Sequence, residues 1–160
     1  MMNCGTSATR PPLLIEKIDN TATVPTRSYP TDSGLDLYAH DFSGLGAEYV
    51  DLSPGGTVLV GTGIKATVGP GYEIQVRPRS GLALKHGITV LNTPGTVDEQ
   101  YRGEICVILI NLSRTTQRIQ KGDRVAQMVV CPVVLADPVV VPSLPSTPRG
   151  AGGFGSTGSA

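Results

Sequence analysis

The chain has 160 residues, a length that suggests one domain with a modest core, and its 13 basic residues balance 13 acidic ones. This balance excludes a global electric field that would attract nucleic acid or a membrane surface, so any anion-binding site must be local. Apolar residues make up 39 % of the chain and aromatic residues 4 %, while 20 glycines and 13 prolines predict an aliphatic core, many turns and little long helix.

The three cysteines, Cys4, Cys106 and Cys131, match no metal-binding spacing. Cys106 and Cys131 lie in apolar runs, which favours buried free thiols and a reducing compartment. No apolar stretch typical of a signal peptide follows the first methionine, and no apolar run is long enough to span a bilayer. We therefore expect a cytoplasmic protein (or a nuclear one in a eukaryote) that forms no stable complex with nucleic acid or membrane.

Residues 1–12 are expected to form a loose arm, followed by a first strand at Leu13–Ile18. The next strand candidates come as two pairs, and each pair flanks a turn rich in glycine and proline. Such a pattern is typical of a β-hairpin. The paired segments are Glu48–Leu52 with Thr57–Val60, and Gly63–Val68 with Tyr72–Arg77.

Ser80–Gly87 departs from the strand pattern. It has a capping serine, helix-forming residues, basic residues near its end and a terminal glycine, which together predict a helix of about two turns near 80–86. Further along, Glu104–Leu112 and Arg124–Val134 are the most hydrophobic runs and predict central strands. Many short strands with one brief helix predict an all-β protein, either a closed barrel or a jelly roll.

Residues 132–148 are rich in proline, valine and leucine. Such a segment favours an extended conformation and cannot pack as a central strand, so we expect an arm that leaves the body of the protein. Residues 149–160 have the composition of a flexible tail. The predicted organisation is an N-terminal arm, a β-barrel domain, a crossing arm and a C-terminal tail, at 1–12, 13–131, 132–148 and 149–160.

Two arginines, Arg77 and Arg79, precede the predicted helix start at Ser80. The N-terminus of a helix offers free N–H groups and the positive end of the helix dipole, and Arg79 would add bidentate donors to a phosphate. A phosphate-binding site is one interpretation of this pattern. An ordinary capped helix with solvated arginines explains the same residues equally well.

The turn residues Asn92–Gly95 lie between two β-prone pieces. A hairpin here would expose backbone groups that could pair with the polar edge of a base. Asp98 follows at the end of the strand, where it could hold or deprotonate a water, although a turn role is commoner for an isolated aspartate. Tyr101 could lie at the edge of the core or form a platform for a sugar ring.

Other polar positions allow two interpretations each. Asp36, between two leucines, could face solvent or help to hold a hydrated Mg²⁺. Arg124 and Gln127 are unusual in an apolar strand, and Gln127 could simply satisfy a buried backbone group. In the tail, Arg149 and the glycine N–H groups could wrap phosphates and Phe154 could stack on a base, whereas composition alone predicts a disordered end.

Five blocks of the chain, in order and spacing, resemble the five motifs of the trimeric dUTPases. They are SGLDLYA, RPRSGLA, NTPGTVDEQYRGEI, KGDRVAQM and RGAGGFGSTG. The resemblance covers the chain from about Pro11 to Gly158, and no motif position departs clearly from the family pattern. It implies an all-β fold, a distorted jelly-roll or β-barrel of the dUTPase-like β-clip type. It also implies a homotrimer with active sites at subunit interfaces, reached by the tail through the arm 132–148.

The resemblance further implies the hydrolysis of dUTP to dUMP and pyrophosphate with Mg²⁺, which supplies dUMP for thymidylate synthesis and keeps uracil out of DNA. Asp98 would activate the water that attacks the α-phosphorus. Tyr101 would lie under the deoxyribose, and Asp36 would contact the metal through water. The other residues that would bind substrate are Arg79, Ser80, Gly81 and Gln127 at the phosphates; Asn92, Gly95, Thr96 and Val97 around uracil; and Arg149, Phe154, Gly155, Ser156 and Thr157 in the tail.

Two alternatives share this fold. A dCTP deaminase would need a glutamate-based site and would lack the phenylalanine-bearing tail, so residues 149–158 argue against it. A non-catalytic regulator or binding module would not need a water-activating carboxylate, so Asp98 argues against that alternative. Pyrophosphate release from dUTP, compared with dCTP and UTP, separates all three.

Overall fold

The computed structural model describes residues 11–44 and 46–153. These residues form twelve β-strands and one short helix, which confirms the all-β prediction. The elements are β1 (Leu13–Lys17), β2 (Leu35–Tyr38), β3 (Asp41–Phe42), β4 (Tyr49–Leu52), β5 (Thr57–Gly61), β6 (Ile64–Val68), β7 (Tyr72–Arg77), α1 (Ser80–His86), β8 (Ile88–Val90), β9 (Gly95–Val97), β10 (Cys106–Asn111), β11 (Gln117–Gln120) and β12 (Arg124–Pro132).

The strands form two four-stranded antiparallel sheets and two small ribbons. One sheet has the order β3-β5-β10-β8 and the other β2-β12-β7-β9, while β1 pairs with β6 and β4 pairs with β11. β10 and β12 each lie between two partners, so both runs predicted as central strands are confirmed. Both strands end slightly earlier than the sequence suggested, β10 at Asn111 and β12 at Pro132.

Both predicted hairpins are wrong. The turn after β4 leads to β5, which pairs with β10 and β3, while β4 itself pairs with β11. In the same way β6 pairs with β1, whereas β7 pairs with β12 and β9. The turns themselves are real, since Gly55 and Gly71 adopt the left-handed backbone with φ of 73° and 81°. Turn residues show where the chain bends, but burial of the apolar face decides which strands pair.

Buried side chains from all the sheets form one cluster, which is aliphatic apart from Phe42 and Met128. The strands alternate between a buried and an outward face, as in β10, where Val107 and Leu109 are buried. Cys106 and Cys131 are free but only half-buried, which corrects the expectation of buried thiols, because both lie on the outward face of their strands. Cys4 lies outside the described residues.

The helix α1 confirms the segment predicted near 80–86, but its start differs. Arg79 occupies the N-cap position with an extended backbone, and no side chain caps the helix. Ser80 is already helical, so its hydroxyl is not placed to accept from the free N–H groups of the first turn. At the other end, Gly87 adopts φ of 64° and donates to the carbonyl of Ala83, as predicted.

Beyond Val133 the chain, up to residue 148, has no helix or strand and is exposed. Its apolar side chains contact little of the body, and Val134 and Val140 are 92 % and 98 % exposed. In the part of the chain that the structure describes, no helix has the length and apolar character needed to cross a membrane.

Candidate active site

A row of polar side chains crosses the sheet β2-β12-β7. Asp36 of β2 lies opposite Gln127 of β12, which lies opposite Arg77 of β7. The flanking residues Leu37 and Met128 are fully buried, so the row faces away from the core. These side chains are half-buried and have polar partners, so Asp36 is not a simple solvent-facing residue.

Asp36 holds two arginine side chains. Its Oδ1 accepts from Nε of Arg79 at 2.9 Å, and its Oδ2 accepts from Nη1 of Arg124 at 3.1 Å. Arg79 Nη1 also donates to the main-chain carbonyl of Arg124 at 3.2 Å. The Asp36 side chain is only 14 % exposed, so these ion pairs are partly desolvated. The three residues therefore form a cluster that sequence reasoning, which left Arg124 out of the site, did not find.

A cavity of about 320 Å³ lies beside this cluster, and we call it the Arg79 cleft. It brings together predicted residues from three separate sequence blocks, namely Asp36, Arg79, Ser80, Gly81 and Gln127. The arginine and the start of α1 make it suited to an anion.

Gln127 does two things at the Arg79 cleft. Its Nε2 donates to the carbonyl of Pro78 at 2.9 Å, which agrees with the interpretation that Gln127 satisfies a backbone group. Its side chain also lines the cavity. Gly34 provides the space it needs, because a Cβ at Gly34 would lie 2.1 Å from Gln127 Oε1. Gly34 is a second residue that the sequence did not assign to the site.

A separate cavity of about 270 Å³ contains the other predicted block, and we call it the Asp98 cleft. It is lined by Asn92, Thr96, Val97, Asp98 and Tyr101. All but Val97 are exposed, while Gly95 is buried in β9. The cleft thus presents a carboxylate and an aromatic ring side by side.

Tyr101 is held in place from two sides. Its hydroxyl donates to the carbonyl of Glu104 at 3.0 Å. Its ring covers Gly103, where a Cβ would lie 2.3 Å from the hydroxyl oxygen and 2.5 Å from Cζ. Glycine at this position therefore lets the ring lie against the backbone, with 45 % of the residue exposed.

Near the Asp98 cleft, the thiol of Cys106 is poorly ionised. Burial first, and then the negative charges of Glu104 and Asp41, raise its pKa to about 11. Cys106 therefore offers an apolar surface to this cleft rather than a nucleophile.

The hairpin predicted around Asn92–Gly95 is wrong in its pairing. β8 pairs with β10, and β9 pairs with β7, so the turn carries the chain from one sheet to the other. The apolar faces of the two strands belong to different sheets, which prevents them from pairing with each other. Both strands lie at sheet edges in the described structure, so each keeps one backbone edge without a strand partner.

Asp98 and Arg79 lie far apart within one chain. Val97 pairs with Ile74, and Asp98 continues past this pair toward Glu73, with which it shares a further cavity. Arg79 lies six residues beyond Glu73 in the opposite direction, and because β7 ends at Arg77 this stretch spans at most roughly 20 Å at about 3.3 Å per residue. Neither the Arg79 cleft nor the Asp98 cleft contains both residues.

The remaining predicted residues belong to the tail. Arg149 is exposed, donates through Nε to the carbonyl of Gly152 at 2.9 Å, and lines neither cleft. Phe154, Gly155, Ser156 and Thr157 lie outside the described residues.

The described residues contain no group of three or more His, Cys, Asp or Glu arranged to hold a metal ion. Asp36 offers hard oxygen ligands at the Arg79 cleft, but both its oxygens already accept from arginine. This donor set fits a hydrated Mg²⁺ that arrives with an anionic ligand, because Mg²⁺ keeps several waters and needs few protein carboxylates.

Comparison with known proteins gives a consistent result. The model of the dUTPase family matches residues 20–158. A deoxyuridine 5'-triphosphate nucleotidohydrolase of Nautilia profundicola is 50 % identical over 146 residues, covering 91 % of this chain and 98 % of its own. The protein of the same name from Ehrlichia canis is 54 % identical over 143 residues, covering 87 % and 90 %.

Solved structures share the fold. A dUTPase variant of Staphylococcus bacteriophage 80alpha with dUpNHpp gives a TM-score of 0.78 at 24 % identity, covering 92 % of this chain and 99 % of its own. A dUTPase variant of phage phi11 of S. aureus, in which a structural Mg(II) ion is coordinated, gives a TM-score of 0.72 at 22 % identity, with 84 % and 99 % covered.

Proposed function

The chain belongs to the dUTPase family, and on that premise we propose that it hydrolyses dUTP to dUMP and pyrophosphate. One observation carries the proposal: the chain presents a cleft lined by Arg79 and the start of α1, which suits an anion, and, separately, a carboxylate beside an aromatic ring at Asp98. The reaction would supply dUMP for thymidylate synthesis and keep uracil out of DNA, in the cytoplasm or in a eukaryotic nucleus.

The direct test measures pyrophosphate released from dUTP, dCTP and UTP in the presence of Mg²⁺. We expect turnover of dUTP and much slower turnover of the other two. Ammonia release from dCTP would instead indicate a deaminase, and binding of dUTP without turnover would indicate a regulator.

In the proposed reaction, the Arg79 cleft binds the phosphates. Arg79 offers the N–H groups that Asp36 and the carbonyl of Arg124 do not occupy, and the backbone at Ser80 and Gly81 adds neutral donors. Gln127 contacts the α-phosphate from the adjacent strand. Mg²⁺ brought by the triphosphate, with Asp36 contacting it through water, would supply further neutralisation of charge.

Asp98 acts on the water. It accepts a proton from a water molecule as the water oxygen forms a bond to the α-phosphorus. The bond from the α-phosphorus to the oxygen that bridges to the β-phosphorus breaks, and pyrophosphate leaves with that oxygen. The products are therefore dUMP and pyrophosphate.

The Asp98 cleft recognises the nucleoside. The open backbone edge beside Asn92, Thr96 and Val97 pairs with uracil, because backbone donors and acceptors can match the edge of a pyrimidine. A thymine methyl would collide with this segment, and the cytosine amino group would leave buried polar groups unpaired. Tyr101 lies under the deoxyribose and leaves no room for a ribose 2′-hydroxyl.

The proposed active form is a homotrimer in which neighbouring subunits share each site. The stretch that separates Asp98 from Arg79 along and beyond β7 spans up to roughly 20 Å at about 3.3 Å per residue, which is longer than a triphosphate and supports a site shared by two chains. The exposed apolar side chains of residues 134–148 support a role for the predicted arm, 132–148, in crossing to a neighbour. Arg149 and the tail residues Phe154, Gly155, Ser156 and Thr157 would then close over that neighbour's site.

The variant Gly34→Ala should lower kcat for dUTP by about tenfold, because the new Cβ displaces Gln127 from the cleft. The side chain of Gln127 can rotate away, so the midpoint of thermal unfolding should change little. Steady-state kinetics and a melting curve measure both effects. Gly69→Ala is the matched control, since a Cβ there meets nothing. An unchanged kcat in Gly34→Ala would show that the position of the Gln127 side chain does not affect turnover.

The variant Gly103→Ala should weaken discrimination against UTP by about tenfold, the range typical of selection against one small group. The added Cβ would push the Tyr101 ring away from the backbone, and the ring would then cease to block a 2′-hydroxyl. The ratio of kcat/KM for dUTP and UTP is the measurement, again with Gly69→Ala as control. An unchanged ratio would mean that Tyr101 does not exclude ribose.

A further inference from the structure

We propose that Asp36 and Arg124 are positioning residues for Arg79: Asp36 orients its guanidinium group, and Arg124 offsets the negative charge of Asp36 so that the Arg79 cleft stays positively charged. The inference rests on the proposed function, because it takes the triphosphate of dUTP as the anion bound there. It gives Asp36 a role that does not depend on metal. It also gives a role to Arg124, which lies in the block KGDRVAQM but was not predicted as a site residue.

The contacts define the geometry. The Nε of Arg79 donates to Asp36, and its Nη1 donates to the carbonyl of Arg124, so two separate acceptors fix the plane of the guanidinium group. Within the described residues, Nη2 donates to no protein acceptor. Since Arg79 also lines the cleft, its remaining N–H groups are the ones available to a phosphate.

A β-bulge places Arg124 on the correct face of β12. The pairing of β12 with β2 shifts register between Arg124 and Ala126, and both Val125 and Ala126 are buried. In a regular strand Arg124 would lie on the same side as Ala126 and point into the core. The extra residue turns Arg124 outward, to the side of Gln127 and Asp36, as bulges beside functional sites often do.

The charges explain why two arginines are present. Arg79 and Arg124 contribute two positive charges and Asp36 one negative charge, so the cluster has a net charge of +1 by this count. Without Arg124, Asp36 would cancel the charge of Arg79 and present a free carboxylate oxygen to an anionic ligand. Because Asp36 is mostly shielded from solvent, water would screen that repulsion only weakly.

The test separates positioning from metal binding. Affinity for a non-hydrolysable α,β-imido analogue of dUTP is measured by titration calorimetry, once with Mg²⁺ and once with EDTA. In EDTA, Arg124→Met should bind the analogue about tenfold more weakly than the unmodified protein, the effect expected for losing one charge-assisted hydrogen bond. Asp36→Asn should also bind it more weakly, because we expect the loss of the orientation of Arg79 to outweigh the removal of one negative charge. Arg124→Lys should recover part of the loss, and KM for dUTP should rise more than kcat falls.

Asp51→Asn and Arg118→Met are the matched controls. Because Arg118 lines a cavity with Arg79 and Arg124, its variant is informative only beside a more remote pair. Glu16→Gln and Lys65→Met provide that pair: they remove the same charges from an ion pair of 3.0 Å between β1 and β6, and they should leave the affinity unchanged within about twofold. Unchanged affinity of Asp36→Asn in EDTA, with only the Mg²⁺ dependence altered, would overturn the inference and leave Asp36 as a metal contact. Failure of the unmodified protein to release pyrophosphate from dUTP would instead reject the proposed function.

Discussion

Replacing Asp98 with asparagine should slow pyrophosphate release from dUTP by about a thousandfold, within the range for loss of a general base. Asparagine has nearly the same shape, and it can still orient a water by a hydrogen bond. It cannot accept the proton that the water loses as its oxygen bonds to the α-phosphorus. Single-turnover kinetics with excess enzyme isolate this step, so the decrease should appear there as fully as in kcat.

The affinity of the variant for a substrate analogue distinguishes a loss of catalysis from a loss of structure. Asp98→Asn should bind the α,β-imido analogue of dUTP with nearly unchanged affinity, because Asp98 is exposed and its side chain forms no hydrogen bond or ion pair with the described residues. Glu99→Gln, the neighbouring acid, is the matched control and should keep its activity. If Asp98→Asn turned over dUTP at the original rate, another group would have to activate the water and the proposed mechanism would be wrong.

The sequence predicted the type of most elements but not how they pair. The two most hydrophobic runs were sufficient to find β10 and β12, and Gly87 was sufficient to end α1. The turn residues after β4 and β6 predicted hairpins that do not exist. A turn fixes local backbone angles, whereas partners as distant as β4 and β11 are chosen by which apolar faces can be buried together.

In the candidate site, too, single residues could be predicted from the sequence, whereas the contacts between them could not. Asp36 and Arg79 were found by motif, but the contact between them joins residues 43 positions apart and becomes visible only in the folded sheet. Arg124 was noticed as an unusual polar residue in an apolar strand, and the adjacent pair Val125 and Ala126 was the available sign of a bulge. Gly34 and Gly103 left no such sign, because their effect depends on side chains that fold against them.

Mixing two inactive variants should restore activity. Asp98→Asn and Arg79→Met are each expected to be nearly inactive alone, since each removes one half of every site. If Asp98 and Arg79 of a site come from different subunits, random trimers of the two variants contain sites in which both residues are intact. Each intact residue is supplied with a chance of one half, so refolding an equal mixture should recover about a quarter of normal kcat.

Asp98→Asn mixed with Asp98→Ala is the control for this recovery. Neither variant supplies an intact Asp98, so every trimer of the two should remain inactive whichever subunits share a site. Hybrid trimers are verified by co-purification of differently tagged chains and by sedimentation. If tagged hybrids of Asp98→Asn and Arg79→Met formed but recovered no activity, the two residues would act within one chain. The separation along β7 makes that outcome the less expected one, because one substrate would then have to bridge roughly 20 Å of strand.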